Sequence, residues 1–236
     1  MQCNIISKPN EVKNNSYRVT LNGSTPLILH NDDVEWSDEL KAWRDAPENR
    51  ELSVAGDDRS PAWTYQGYFY WNDDGVAIMP AANILASLAK AGAKVRLKGS
   101  ETFKCHTQSG LLFEDMEWEL LASGKTISRG DLPEIDNLEF VDHATAAREG
   151  GYRLFVKRAT VGQAKHVRVR PRLDAWQVNG TITVLDPDLF KHTKRENTLL
   201  RILEIAGLQI GLGDWRPSAP KKPGPFGKFT VELERT

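Results

Sequence analysis

Between residues 166 and 173 basic and apolar side chains alternate, and this is the pattern in the chain best suited to chemistry. The basic members are His166, Arg168, Arg170 and Arg172, and the apolar members are Val167, Val169, Pro171 and Leu173. A strand here would place one set in the core and the other on an open face. Arginine forks match phosphate oxygens, so we predict that the three arginines bind phosphates. We expect further cations to flank the same face, namely Lys157, Arg158 and Lys165. A solvated arginine face is the alternative.

A glycine-rich segment near the C-terminus is the second candidate. Apolar residues recur at helical spacing from Leu199 to Ala206, and Gly207 is placed to end that helix. Glycine loops can direct backbone N–H groups at anions, and an exposed indole can stack on a base. We therefore predict a phosphate-facing loop with four contact residues, namely Gly211, Gly213, Trp215 and Arg216. Glycines that only make tight turns are the alternative. The order of elements excludes a nucleotide-triphosphate loop, because the later Gly224–Lys228 segment leads into a strand.

Other polar clusters carry weaker signals. His30 beside Asp32 and Asp33 has the residue types of a general acid/base or a metal pair, although a solvated turn has the same composition. Lys94 and Lys98 follow a helix that begins at Pro80 and ends at Gly92. They either complement the helix dipole or extend a nucleic-acid surface, and we include them as candidate contacts. We assign no catalytic residue, metal ligand or cofactor.

Composition and charge narrow the class of protein. The chain has 236 residues, 40% of them hydrophobic, a net charge of −1 and two cysteines. It has no apolar run long enough for a membrane helix and no signal-peptide pattern, so we expect a soluble protein of a reducing, cytoplasmic compartment. Acidic residues concentrate between residues 35 and 74, whereas residues 153–172 hold basic residues and no acid. Such segregation can create a basic surface on a nearly neutral protein.

The remaining pattern indicates an α+β fold in a single domain spanning residues 1–236. We predict strands at 16–21, at 111–121 and at 229–233, and a helix at 36–43 with Ser37 as its N-cap. Residues 65–71 and 76–79 are expected to form a hairpin, and residues 166–173 and 176–184 a meander. Residues 110–151 are interpreted as an insertion.

Four groups of segments occur in a set order along the chain: Thr25–Asn31, Met79–Ala81 with Gly92–Lys94, Val169–Arg172 with Trp176, and Gly211–Pro217 with Phe226–Phe229. Their order resembles the RAMP superfamily, the RNA-binding proteins of CRISPR effector complexes. The similarity is greatest to a bacteriophage-type relative of the guide-RNA-binding backbone subunit. The resemblance implies a ferredoxin-like core, akin to the RNA-recognition motif, with an antiparallel sheet, packed helices and inserted loops and hairpins. It also implies that the glycine loop lies against RNA and that subunits stack head-to-tail. Residues 218–225 lengthen this loop relative to the family, and no residue matches its target-cleaving aspartate or processing histidine.

The leading expectation is therefore a non-catalytic protein that binds single-stranded RNA or DNA and forms filaments or another homo-oligomer. Its setting would be the cytoplasm of a bacterial or phage-infected cell, where CRISPR effector subunits are further candidate partners. Three alternatives stay open. These are a phage single-stranded DNA-binding or annealing protein, a phage inhibitor that mimics a CRISPR subunit, and a metal-independent endoribonuclease using His30 or His166. The sequence leaves RNA or DNA preference and oligomeric state open.

Overall fold

A computed structural model describes residues 15–136, 138–161, 164–193 and 196–236. The strands are β1 (Asn15–Gly23), β2 (Leu27–Ile28), β3 (Ile78–Pro80), β4 (Leu111–Phe113), β5 (Glu117–Ala122), β6 (Lys125–Thr126), β7 (Arg153–Val161), β8 (Ala164–Leu173), β9 (Trp176–Val184), β10 (Lys191–Thr193), β11 (Glu196–Asn197) and β12 (Phe229–Arg235). The α-helices are α1 (Val34–Asp45), α2 (Ala81–Gly92), α3 (Lys104–Ser109), α4 (Phe140–Glu149), α5 (Pro187–Phe190) and α6 (Thr198–Ile205). Short 3₁₀ turns span Pro47–Asn49, Ala62–Tyr68 and Arg129–Asp131. No helix in these ranges is both long and apolar enough to cross a membrane.

The large sheet has the order β12-β1-β9-β5-β3, with β4 beside β9 and β6 beside β5. Each of its pairings is antiparallel. Its four longest strands and two helices follow one another as β1, α2, β5, β9, α6 and β12. The prediction of a mixed α+β protein with antiparallel sheets is confirmed.

Helices α2 and α6 share one hydrophobic core with a single face of the large sheet. Pro80 precedes α2, where its missing N–H is tolerated, and the helix buries Ile84 and Leu88. Asn197 caps α6 by accepting a hydrogen bond from the N–H of Leu200. The same core contains alternate residues of the central strands, including Val19 of β1 and Val178 of β9. This packing fixes both helices relative to the sheet.

A second sheet, in the order β2-β8-β7, corrects the predicted meander. Strand β8 pairs with β7 and β2, whereas β9 pairs with β1, β4 and β5. The reason is the connection at residues 174–175, which carries the chain from the small sheet into the large one. The indole N–H of Trp176 donates to the carbonyl of Thr25 at the start of β9 and helps to anchor this crossing.

Two local predictions are wrong at the start of the chain. Helix α1 begins at Val34, and Asp33 rather than Ser37 caps it by accepting from the N–H of Trp36. The expected strand at 65–71 is largely the 3₁₀ helix Ala62–Tyr68. Its aromatic residues enter the core from a tight helix, so tertiary packing outweighs their β-propensity.

The helix near the C-terminus also ends later than predicted. A π-helical turn, Ala206–Ile210, extends α6 past Gly207, and the positive φ of 76° occurs at Gly211. Gly207 instead lies against the Phe229 carbonyl of β12, where a side chain would collide. The glycine at 207 therefore permits close packing rather than helix termination.

The segment interpreted as an insertion, 110–151, contributes β4, β5 and β6 to the large sheet. Its later part carries helix α4, whose His143 and Ala147 are buried. The first part of this segment is therefore integral to the sheet.

Candidate functional site

The register of the β7–β8 hairpin confirms the predicted alternation but corrects the placement of two cations. Lys157 lies opposite Arg168, so both share the arginine face. Arg158 lies opposite Val167, and Lys165 lies opposite Thr160. Because side chains alternate between the faces of a strand, Arg158 and Lys165 belong to the other face of the hairpin.

Each arginine of β8 has a carboxylate partner within the protein. Arg168 Nη1 lies 2.9 Å from Asp58, Arg170 Nη1 lies 2.6 Å from Asp214, and Arg172 Nε lies 2.7 Å from Asp174. The sequence suggested that bound phosphates would compensate these charges. The structure shows instead that the protein's own carboxylates already do so.

Two neighbouring cavities, here called compartments, lie beside the ion pairs of Arg168 and Arg170. The first compartment has a volume of about 240 Å³ and the second about 530 Å³. The first is lined by His30, Tyr70, Asn83, Ala86, Ser87, Lys90, Gly211, Leu212, Gly213, Asp214 and Arg216. The second is lined by His30, Asn31, Asp32, Val34, Ser37, Tyr68, Arg168 and Arg170. The compartments share His30, and the Arg170–Asp214 ion pair joins their walls. We call the two together the groove.

Two cations of the first compartment differ from the β8 arginines. Lys90 projects from α2 and Arg216 from the loop after α6, and Arg216 Nη1 donates to the Gly213 carbonyl at 2.7 Å. Among the described residues no carboxylate forms an ion pair with either one. Partial burial, followed by the nearby Arg216 guanidinium, lowers the pKa of Lys90. The one carboxylate in this lining, Asp214, is paired with Arg170, so an anion bound between Lys90 and Arg216 would reduce their mutual repulsion.

His30 lies where the two compartments meet. Burial, and then the Arg170 guanidinium, lower its pKa below the ordinary 6.5, so the ring is neutral at pH 7. The ring packs edge-on to Tyr68 with centroids 5.0 Å apart, and Nε2 lies 3.8 Å from Asp32. The second histidine predicted as a candidate, His166, lies outside the groove lining. Within the described ranges no group of three or more potential metal ligands occurs.

Asp58 is a buried residue that holds two side chains of the second compartment in place. Its side chain is 2% exposed and accepts hydrogen bonds from Arg168, from the Tyr68 hydroxyl at 3.1 Å and from the N–H of Val169 at 3.3 Å. Burial and the Asp58 charge raise the pKa of Tyr68 to about 12. Sequence reasoning missed this residue, because one aspartate in a polar loop carries no signal of burial.

The glycine-rich loop is positioned by its own hydrogen bonds. The N–H of Gly211 donates to the Ala206 carbonyl at 2.7 Å, and the N–H of Asp214 donates to the Ile28 carbonyl at 2.8 Å. Gly211 therefore cannot offer its N–H to a phosphate as predicted. Gly213 lies against Ile28 of β2, where any side chain would collide. Its glycine lets the loop approach the small sheet.

Trp215 lies in an aromatic cluster on the arginine face. Its ring is nearly parallel to Phe226, at 16° with centroids 6.2 Å apart, and meets Phe155 at 75°. Lys157 Nζ lies 3.3 Å from the centroid of the indole. A base could stack on that face only after Lys157 moves, which corrects the prediction of a free stacking platform.

The remaining predicted contacts lie away from the groove lining. Lys94 and Lys98 are exposed beyond the end of α2, whereas Lys90, one helical turn before Lys94, lines the first compartment. The sequence shows a lysine cluster here without showing which member faces the groove.

The face of the large sheet away from the helices is acidic. Cross-strand neighbours place Glu234 beside Arg18, Glu232 beside Thr20, and Glu119 beside Asn179 on that face. Glu117 alternates with Glu119 along β5 and shares the face. The strand residues named here include several carboxylates and one guanidinium. This surface therefore disfavours a polyanion.

No protein-family model matches the chain, and no curated protein matches it. Function is therefore inferred from the groove itself.

Proposed function

We propose that this protein binds single-stranded nucleic acid in the groove without cleaving it. The observation that carries the proposal is that Lys90 and Arg216 line the same compartment, and neither forms an ion pair with a carboxylate in the described part of the chain. A phosphate between them would relieve their repulsion. Such charge neutralisation supplies most of the affinity in non-specific nucleic-acid binding.

The arrangement of the other cations supports the same proposal. Two further cations, Arg168 and Arg170, line the second compartment, although each forms an ion pair with a carboxylate. Tyr68 lines the second compartment beside both arginines, and Tyr70 lines the first. Cations beside aromatic rings are typical of grooves that follow a single strand.

The topology supports the finer proposal about fold and family. The order β1-α2-β5-β9-α6-β12 is the strand–helix–strand–strand–helix–strand order of ferredoxin-like domains. We propose that the chain is a ferredoxin-like, RAMP-type protein related to the bacteriophage group named above. Its proposed setting is the bacterial or phage-infected cytoplasm, with head-to-tail homo-oligomers on the strand and CRISPR effector subunits as further partners.

The acidic sheet face determines where the strand would lie. RNA-recognition motifs bind bases with aromatic residues on the open face of their sheet. Here the corresponding face presents Glu119, Glu232 and Glu234. We therefore place the strand in the groove and not across the sheet.

Fluorescence anisotropy with labelled single strands over a salt series tests the proposal. The groove variant is Lys90→Ala with Arg216→Ala. The matched control is Lys125→Ala with Arg148→Ala, which removes one lysine and one arginine from exposed positions on β6 and α4. Each phosphate contact on a single strand contributes about 0.7 to the slope of log affinity against log salt. The groove variant should therefore lower the slope by about 1.4 and weaken binding. An equal effect of the control, or none of the groove variant, contradicts the proposal.

A metal-independent endoribonuclease is the second candidate, and the position of His30 favours it. A neutral imidazole lies in the middle of the groove, close to the Arg170 guanidinium. General-base catalysis needs a neutral histidine within reach of the attacking hydroxyl. Labelled RNA incubated in the presence of a metal chelator distinguishes the two functions. Cleavage that is lost in His30→Ala supports the nuclease, and intact RNA supports binding alone.

A further inference from the structure

We infer that the second compartment reads a guanine base while Lys90 and Arg216 hold the adjoining phosphate, so that the groove selects one nucleotide along the strand. This inference rests on the proposed function, because it uses the same phosphate site.

The sizes of the two compartments separate their roles. Sites for drug-sized ligands usually measure about 300–1,000 Å³. The first compartment, at about 240 Å³, is below that range and is rich in donors from Lys90 and Arg216. The second, at about 530 Å³, has room for a planar base. His30 lines both, at the position where the sugar would join the two parts.

Asp58 prepares the second compartment for planar recognition. A single buried carboxylate holds the Arg168 guanidinium and the Tyr68 hydroxyl, and both residues line the compartment. A guanidinium has five N–H donors, and Asp58 engages Arg168 through Nη1 while a third of the side chain stays exposed. The fork is therefore oriented before any ligand arrives. Orientation of this kind reduces the entropy that binding would lose.

The rings in the compartment offer a place for the base plane. Tyr68 and His30 meet at 78°, so a base that stacks on one ring would direct its edge towards the other. Stacking of unpaired bases on such side chains is the usual mode of single-strand recognition.

The hydrogen-bonding groups favour guanine over the other bases. Guanine presents N7 and O6 as paired acceptors, which an arginine fork matches, whereas adenine has an amino donor in place of O6. Acceptors are also present in the compartment. Asn31 donates through Nδ2 to the Phe69 carbonyl, which leaves its Oδ1 as an acceptor, and the Asp32 carboxylate is exposed. These oxygens suit the N1–H and N2–H groups on the adjoining Watson–Crick edge of guanine.

Short oligonucleotides test the inference directly. The probes are uridine strands of about eight residues, with the central base replaced by G, A or C, in RNA form and in the corresponding DNA form. One bidentate pair discriminates against a wrong base by about tenfold or more. The wild type should therefore bind the G-containing strand about tenfold more tightly than the other three.

The decisive variant is Arg168→Lys, which keeps the charge but loses the fork. It should bind the G-containing strand no more tightly than the other three strands, whatever its overall affinity. Arg172→Lys is the control, because Arg172 lies on the same strand, pairs with Asp174 and does not line the groove. Circular dichroism and thermal melting of both variants verify that they fold.

The outcomes separate the inference from the proposed function. Equal affinity for all four strands, or a G preference that survives in Arg168→Lys, overturns the guanine site and leaves single-strand binding intact. Absence of binding to any strand at low salt overturns both. A G preference that Arg168→Lys abolishes and Arg172→Lys preserves supports the inference.

Discussion

Removal of the Asp58 carboxylate should destabilise the protein far more than removal of a comparable exposed carboxylate. Asp58→Ala deprives Arg168, the Tyr68 hydroxyl and the Val169 N–H of their common acceptor. The site is 2% exposed, so water cannot simply replace the carboxylate. The substitution therefore leaves donors unsatisfied beneath the second compartment.

The expected loss in the free energy of unfolding depends on how deeply each partner is buried. Breaking a buried ion pair costs about 3–5 kcal/mol. Arg168 is 33% exposed and can recover part of its hydration, so we take the lower end, about 3 kcal/mol. Asp174 is the matched control, because it too is an aspartate paired with a β8 arginine, Arg172, and with Arg153, but all three of these side chains are at least 32% exposed. Exposed pairs contribute about 0–1 kcal/mol, so Asp174→Ala should have little effect.

Urea unfolding followed by circular dichroism measures both variants under identical conditions. A loss of about 3 kcal/mol corresponds to a fall of roughly 6–12 °C in melting temperature for a domain of this size. If Asp58→Ala and Asp174→Ala lower the free energy of unfolding by the same small amount, Asp58 does not anchor the groove wall. The slope of free energy against urea should stay constant, since neither change alters the surface exposed on unfolding.

Three further results are expected. Gly227→Ala should lower the free energy of unfolding by about 1–3 kcal/mol, and by more than Gly99→Ala does. Both glycines have a positive φ, but only at Gly227 would the new methyl group meet a backbone oxygen. Thermal melting of the two variants compares these losses. His30 has a pKa below 6.5 in the folded chain, so the unfolded chain takes up its proton first and stability falls as pH drops through 6.5. His30→Asn should lessen that fall, measured by melting between about pH 5 and 8, where stability is usually greatest. The pKa of Tyr68 is about 12 in the folded protein and 10.0 in the unfolded chain, so the free energy of unfolding should fall as pH rises above 10. This fall should be smaller in Tyr68→Phe.

The elements with strong periodicity could be predicted from the sequence. The alternation in β1 and β8 and the helical stripe of α2 each depend on burial of one face, and a one-residue shift would expose that face. The 3₁₀ segment Ala62–Tyr68 could not be predicted, because its aromatic residues have β-propensity and only their packing selects the helix. The pairing of β8 with β7 and β2 could not be predicted either, since a short connection to β9 usually indicates a hairpin.

The candidate site was predicted in part. The arginine row and the glycine loop do lie together, because Asp214 pairs with Arg170 and Trp215 contacts Lys157. The carboxylate partners could not be foreseen, since Asp58 is distant in sequence from Arg168 and the pairing depends on tertiary contact. Lys90 was not distinguishable from its neighbours, because the direction of one helical side chain relative to a later loop is a property of the fold.

The distribution of charge on the folded surface differs from the one that the sequence suggests. The acidic segment 35–74 and the basic segment 153–172 are in contact: Asp57 forms a β-bridge with Val167, and Asp58 forms an ion pair with Arg168. The other two arginines of β8 pair with Asp214 and Asp174, which lie outside the acidic segment. Lys90 and Arg216 in the groove have no carboxylate ion-pair partner among the described residues, and carboxylates outnumber cations among the residues named above on the open sheet face. A polyanion is thus attracted to one surface and repelled from the other. Since exposed charges act over about 8 Å at physiological salt, this contrast should direct a strand into the groove before any specific contact forms.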